Sequence, residues 1–176
     1  MSRKPQNAGN SLPLAAQLLF TDGYCEAFAN ALVRKDPDAY CLRKLVVCDP
    51  RYAARLDYPA DAKIEAHVFA LDAQNNVVDA EGRRPILDML RSFGVRRGYS
   101  YTIEVAFLRL ESEIDATFQA GMNMADRLIE AAGWDEKEIP QADGRLAKNF
   151  RAARGELDRI RARKVPEPEP EFAPEF

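Results

Sequence analysis

The chain has a single histidine in 176 residues, so any chemistry that needs an imidazole rests on His67. Its three cysteines, Cys25, Cys41 and Cys48, form an odd set without a CxxC pair. That argues against a disulfide framework and a zinc knuckle, and neither a metal nor a cofactor is expected. Positive charge is not in excess either. Twenty-five Lys and Arg stand against 28 Asp and Glu, a net charge of -3, which leaves no basic stripe to attract nucleic acid. No apolar run is long enough to span a bilayer, so no membrane is expected as a partner. No internal repeat indicates a solenoid.

What remains is the composition of an ordinary globular domain, 47% hydrophobic and 30% charged, in a chain long enough for one sizeable core. Basic residues followed by an apolar stretch at the N-terminus suggest a signal peptide. However, Pro13 and Gln17 interrupt the stretch from Leu12 to Phe20 and no clear cleavage site follows, so a cytoplasmic protein is expected. Residues 1–11 are polar and expected to be disordered, and 165–176, "VPEPEPEFAPEF", form a Pro-Glu tail with no means of building a core. Between them, 12–110 read as an α+β core and 111–164 as a helical part of the same domain.

Periodicity predicts the elements. A short helix is expected over Leu12 to Phe20, then turn residues "TDG", then a helix from Tyr24 to Val33 that stops before Pro37. "YCLRKLVVCD" (40–49) reads as a strand, with Cys41 and Cys48 as small apolar residues within it. "IEAHVFALDAQNNVVDAEG" (64–82) is β-branched and apolar on both sides of a polar "AQNN" tip, a hairpin signature. A helix over Pro85 to Phe93 with Ile86, Leu87, Leu90 and Phe93 on one side follows. A strand with Tyr99, Tyr101, Ile103, Val105 and Phe107 on its buried face comes next. A helical stripe then runs through Ile114, Phe118, Met122, Ala125 and Ile129 to a C-cap at Gly133. The last helix, 143–164, carries Leu146, Phe150, Ala153, Leu157 and Ile160 on one face and arginines elsewhere, interspersed with Glu156 and Asp158. Trp134 is expected to pack a helix end, and the basic-aromatic stretch 91–101 to be a solvated turn.

Chemistry-bearing residues fall in one order: Cys25 at a helix start, His67 on the first hairpin strand, Asp79 on the return strand. A helix N-terminus lowers a thiol pKa through its unpaired N–H groups and its dipole. An imidazole can take the thiol proton and return it to a leaving group, and a carboxylate on the other ring nitrogen sets tautomer and orientation. The Cys25 amide N–H could help hold an oxyanion, and Gly23 lets the chain turn sharply into place. His67 and Asp79 can meet only if the hairpin register puts them on one face, with Asp72 as the lesser candidate.

This order, carried by "DGYCEAFANAL" and "HVFALDAQNNVVDA", resembles the papain-like cysteine enzymes, in particular the NlpC/P60 and transglutaminase-like branches. The resemblance covers residues 22–82. It implies a papain-like α+β core in which a Cys-bearing helix packs on a small antiparallel sheet. It also implies Cys25 as nucleophile, His67 as base and Asp79 as orienting residue. The activity implied is attack on an amide bond of a peptide or protein through an acyl-enzyme, as a peptidase, amidase, deamidase or acyltransferase. A bacterial effector-like role follows only by analogy. Departures are Glu26 where those families carry glycine or serine, and Gln17, whose spacing does not suit an oxyanion residue. The helices beyond residue 110 have no counterpart. The alternative reading is a non-catalytic interaction module that presents the C-terminal helices to a protein partner, with Cys25 packed beside Phe28 and Leu32.

Overall fold

A computed structural model describes residues 9–135 and 137–163 of the chain. It is an α+β fold around a five-stranded antiparallel sheet of order β4-β3-β2-β1-β5, with β1 Tyr40–Val47, β2 Ile64–Asp72, β3 Asn76–Asp79, β4 Gly82–Pro85 and β5 Tyr101–Val105. The helices are α1 Leu14–Thr21, α2 Cys25–Lys35, α3 Pro50–Arg55, α4 Ile86–Ser92, α5 Ala116–Ala132, α6 Arg145–Lys148 and α7 Phe150–Arg163. Among the described residues no helix is long and apolar enough to cross a membrane.

Alternation along the strands divides the core into two layers. On one face Leu42, Val68, Ala70 and Val78 pack under Phe28, Ala29 and Leu32 of α2, with Ala125 and Ile129 of α5 completing that cluster. On the other face Leu45, Val47, Phe69, Leu71 and Val77 meet Tyr52 of α3 and Met89 and Leu90 of α4. A third, smaller cluster joins Ala15 and Leu18 of α1 to Leu146, Ala153 and Leu157.

Local chemistry sets the ends of these elements. Asp49 accepts from the Arg51 amide at 2.9 Å with Pro50 in the first turn of α3, and Asp115 accepts from the Phe118 amide at 2.7 Å to open α5. Gly133 closes α5 in the left-handed region, at φ 74. The hairpin turn is held by Asp72, whose Oδ1 accepts from the amides of Gln74 and Asn76, with Asn75 at φ 60.

Several expectations need correction. Residues 9 and 10 are tied down, by Gly9 N–H to the Glu138 carbonyl and Asn10 N–H to the Ala132 carbonyl; residues 1–8 and the tail 165–176 lie outside the described residues. Cys41 is exposed and Cys48 half-buried, because they sit at the two ends of β1 where the covering layers stop. On α4 the buried residues are Met89 and Leu90, while Leu87 is 62% exposed. β5 is an edge strand, and the face expected to be buried is covered only at Ile103 and Tyr99. Tyr101 and Val105 are exposed, and Phe107, beyond the strand, is 83% exposed. The last helix is broken at Asn149 into α6 and α7, leaving Phe150 and Ile160 exposed while Leu146, Ala153 and Leu157 are buried.

Candidate active site

The hairpin register decides whether the imidazole and the carboxylate can meet. β2 pairs with β3 at Ala70–Val78 and Leu71–Val77. Counting outward by twos from Leu71 and Val77 puts His67, Phe69 and Asp79 on the same face of the sheet. The pairing of β3 ends there, so the His67–Val68 stretch of β2 has no strand partner on that side. The first turn of α2 reaches the sheet at this open edge.

His67 is buried, at 1% exposure, and its Nε2 lies 3.0 Å from Asp79 Oδ2. The ring stacks on Phe93 with centroids 4.3 Å apart and 27° between planes, and on Phe69 at 5.9 Å. The two rings and the carboxylate fix the imidazole plane. With Nε2 committed to Asp79, Nδ1 is the nitrogen left to face the Cys25 thiol. Nδ1 has no hydrogen bond of good geometry, yet the thiol interacts with the ring, a loose contact of the kind common in unliganded catalytic sites.

Charge follows this geometry. Burial pushes the Cys25 thiol up, but the His67 hydrogen bond and charge, with the Val68 and Glu26 amides, outweigh it and hold the thiol below its ordinary value. Burial likewise works against a charged His67, and the hydrogen bonds to Asp79 and Cys25 overcome it and push the imidazole up to about 9. Asp79 is held below the usual carboxylate range despite burial, by the His67 hydrogen bond and by Arg84. All three shifts run in the direction that favours a thiolate–imidazolium pair beside an ionised carboxylate.

Other side chains at the site were not anticipated from the sequence. Arg84 of β4 is buried; its Nη2 donates to Asp79 Oδ2 at 2.6 Å and its Nη1 to Glu81 Oε1 at 2.6 Å. Asp79 Oδ1 accepts from the Glu81 amide at 3.0 Å. Glu81 in turn is pushed above its ordinary value by burial and, less, by the nearby Asp79 charge. A doubled arginine, "RR" at 83–84, offered only the signal that one of two adjacent strand residues points inward.

Glu26 follows Cys25 in the chain, and a carboxylate beside a thiol opposes its ionisation. Glu26 is turned away: Arg109 Nε and Nη2 donate to its two oxygens, each at 2.7 Å. The Arg109 amide donates to Asn30 Oδ1 at 3.2 Å and its guanidinium lies 4.3 Å over the Phe118 ring, so this segment is pinned across the start of α2. Hollows of about 460 and 350 Å³ open on either side of the Glu26–Arg109 pair, the first floored by Leu42, Lys44 and Val68, the second by Gly23, Tyr24 and Ala27. A larger cavity, of about 750 Å³, lies elsewhere, between α1, α5 and α7.

The start of α2 has no side-chain cap. Tyr24 occupies the N-cap position without capping it, and Gly23, at φ 121, supplies the turn before it. The sequence candidates Gln17 and Asp72 are not part of the site. Gln17 Nε2 donates to the Leu12 carbonyl at 2.8 Å, and Asp72 is spent on the hairpin turn. Among the described residues no group of three or more His, Cys, Asp or Glu is arranged to hold a metal ion.

No family model, curated protein or solved structure matches this chain. The chemistry of the site therefore rests on its own geometry.

Proposed function

We propose that the protein is a papain-like thiol enzyme that cleaves or transfers an amide bond of a peptide or protein, with Cys25 as nucleophile, His67 as general base and acid, and Asp79 as orienting residue. The observation that carries this reading is the commitment of His67 Nε2 to Asp79, which leaves Nδ1 uncommitted in a ring that interacts with the thiol at an uncapped helix start. The thiolate attacks the carbonyl carbon and the oxyanion develops near the Cys25 amide. As the C–N bond breaks, the imidazolium Nδ1–H gives its proton to the departing nitrogen, leaving a thioester on Cys25. Water or an amine then attacks the thioester, loses its proton to His67 and restores the thiolate. Three free cysteines suit a reducing compartment, and the cytoplasm is the proposed location.

The test is to trap the acyl-enzyme. The protein is incubated with a mixture of acyl and peptidyl amides, quenched in acid, and Cys25 peptides are searched for added acyl mass. An adduct on Cys25, sensitive to hydroxylamine and missing after His67→Ala, is the expected result. No adduct on Cys25 across peptide, glutamine-amide and lysine-isopeptide probes would overturn the proposal.

A further inference from the structure

An apolar groove of about 750 Å³, separate from the thiol and its partners, lies between α1, α5 and α7. Leu19, Phe20, Met124, Leu128 and Ile160 form its walls, and Ala120 and Gly121 are among the small residues that leave room between them. Such a groove gains by being covered: about 25 cal/mol is recovered per Å² of apolar surface removed from water. The last turns of α7 line it. Ile160 and Arg161 line the groove, α7 ends at Arg163, and thirteen residues follow, numbers 164–176.

We propose that the groove is the docking site of the chain's own C-terminal segment, with Phe172 and Phe176 as apolar anchors. Three observations favour this occupant. The first is reach. Groove residues of α5 run from Ala116 to Leu128, about 18 Å at 1.5 Å per residue. If residues 164–166 reverse the chain, the six residues to Phe172 cover about 19 Å in the extended helix that Pro-rich sequence favours. The second is shape. Proline-rich segments dock in aromatic-lined grooves with little entropy left to lose, and Phe20 and Tyr24 line this one. The third is charge. The segment carries Glu167, Glu169, Glu171 and Glu175, while Arg161, which lines the groove together with Glu156, and Arg159 and Arg163 of the same helix form no salt bridge among the described residues. The other terminal segment, residues 1–8, has no aromatic or branched aliphatic side chain to offer. Tethering supplies a roughly millimolar effective concentration, so contacts too weak to hold a free peptide suffice here. Tyr24 is the residue before Cys25, so the docked segment abuts the start of α2.

The test labels the full-length chain with fluorophenylalanine and assigns Phe172 and Phe176 by single Phe→Leu changes. Both ¹⁹F signals are expected away from their positions in a free 164–176 peptide. Ile160→Glu, at an exposed position, should return them to those positions while the other signals stay native. High salt should move them part of the way. Signals at the free-peptide positions in the unmodified chain would overturn the proposal. So would shifts that appear only as concentration rises with growing sedimentation mass, because the occupant would then be a second copy.

Discussion

Removing the imidazole is the sharpest perturbation of the proposed thiolate. In His67→Ala the thiol loses both the hydrogen bond and the positive charge that lower its pKa, while burial, which raises it, stays. Loose as the contact is, its hydrogen-bonding and charge contributions together are bounded by that of a well-formed hydrogen bond to a charged group, about 1.5–3 kcal/mol. At about 1.4 kcal/mol per tenfold, its loss leaves roughly 10- to 150-fold less thiolate at a pH below the thiol pKa. A more basic thiolate is also the better nucleophile, which offsets about 40–50% of that effect on a logarithmic scale. The net expectation is labelling by iodoacetamide roughly four- to twentyfold slower at pH 6.5. The assay follows alkylation of each cysteine by mass across pH 5–9, with exposed Cys41 in the same digest as internal reference. Equal Cys25 rates in parent and variant, with Cys41 unchanged, would refute the imidazole's part in ionising the thiol.

Arg109→Ala should free the Glu26 carboxylate to act on its neighbour and slow Cys25 labelling, and adding Glu26→Gln should restore the rate; because both partners are about a third exposed, the stability change should stay within about 1 kcal/mol. Gly82→Ala should cost about 3 kcal/mol or more in urea unfolding. Gly82 sits at φ 116, where an added Cβ would lie 2.5 Å from the Pro140 carbonyl oxygen. His67, raised to about 9, adds stability that is complete below the free imidazole value near 6.5 and is lost as pH rises through 9. The lowered Cys25 has the opposite slope up to about 8.5, where a free thiol titrates. The two slopes oppose each other below about pH 8.5, so the urea midpoint should fall most steeply above it, a fall that a Cys25→Ser, His67→Gln double variant lacks.

Elements with a strong internal period were legible in the sequence. The α2 and α5 stripes, the hairpin and the Gly133 cap all appear within a residue or two of where periodicity puts them. Alternation in β5 was also real, but it tells which residues share a face and not whether anything covers that face, so Val105 and Phe107 ended in solvent. β4 was missed because "GRRP" has no apolar alternation, and its pairing depends on β3 and on Gln141 alongside. At the site, the order of Cys25, His67 and Asp79 was legible and their meeting was not. That depended on the Leu71–Val77 register and on where β3 leaves β2. Arg84 and Phe93 act through tertiary contacts with Asp79 and His67, for which local sequence carries no signal.

Asp79 has two functions that a single substitution can separate. Its Oδ2 accepts from both His67 Nε2 and Arg84 Nη2, and its Oδ1 from the Glu81 amide. Arg84 already balances the carboxylate charge, so the carboxylate matters to His67 more as a fixed acceptor than as a field. In Asp79→Asn the carbonyl oxygen can take the Oδ2 place and keep both donors, while the amide nitrogen meets the Glu81 N–H, donor against donor. That clash should cost about 1–3 kcal/mol. Loss of the charge also removes one cause of Glu81's raised pKa, so Glu81 ionises more readily and takes over Arg84. Cys25 labelling in Asp79→Asn should therefore lie between the parent and His67→Ala, whereas Asp79→Ala, which frees the ring, should fall to the His67→Ala rate. The pH dependence supplies a second readout. Asp79, held low in the native state, adds stability that is complete above the ordinary carboxylate value near 4 and lost as pH falls through its lower native value. The Asn variant should start lower and lose less below pH 4. Labelling of Asp79→Asn as slow as that of His67→Ala, with the fold intact, would mean that the charge acts and the acceptor geometry does not.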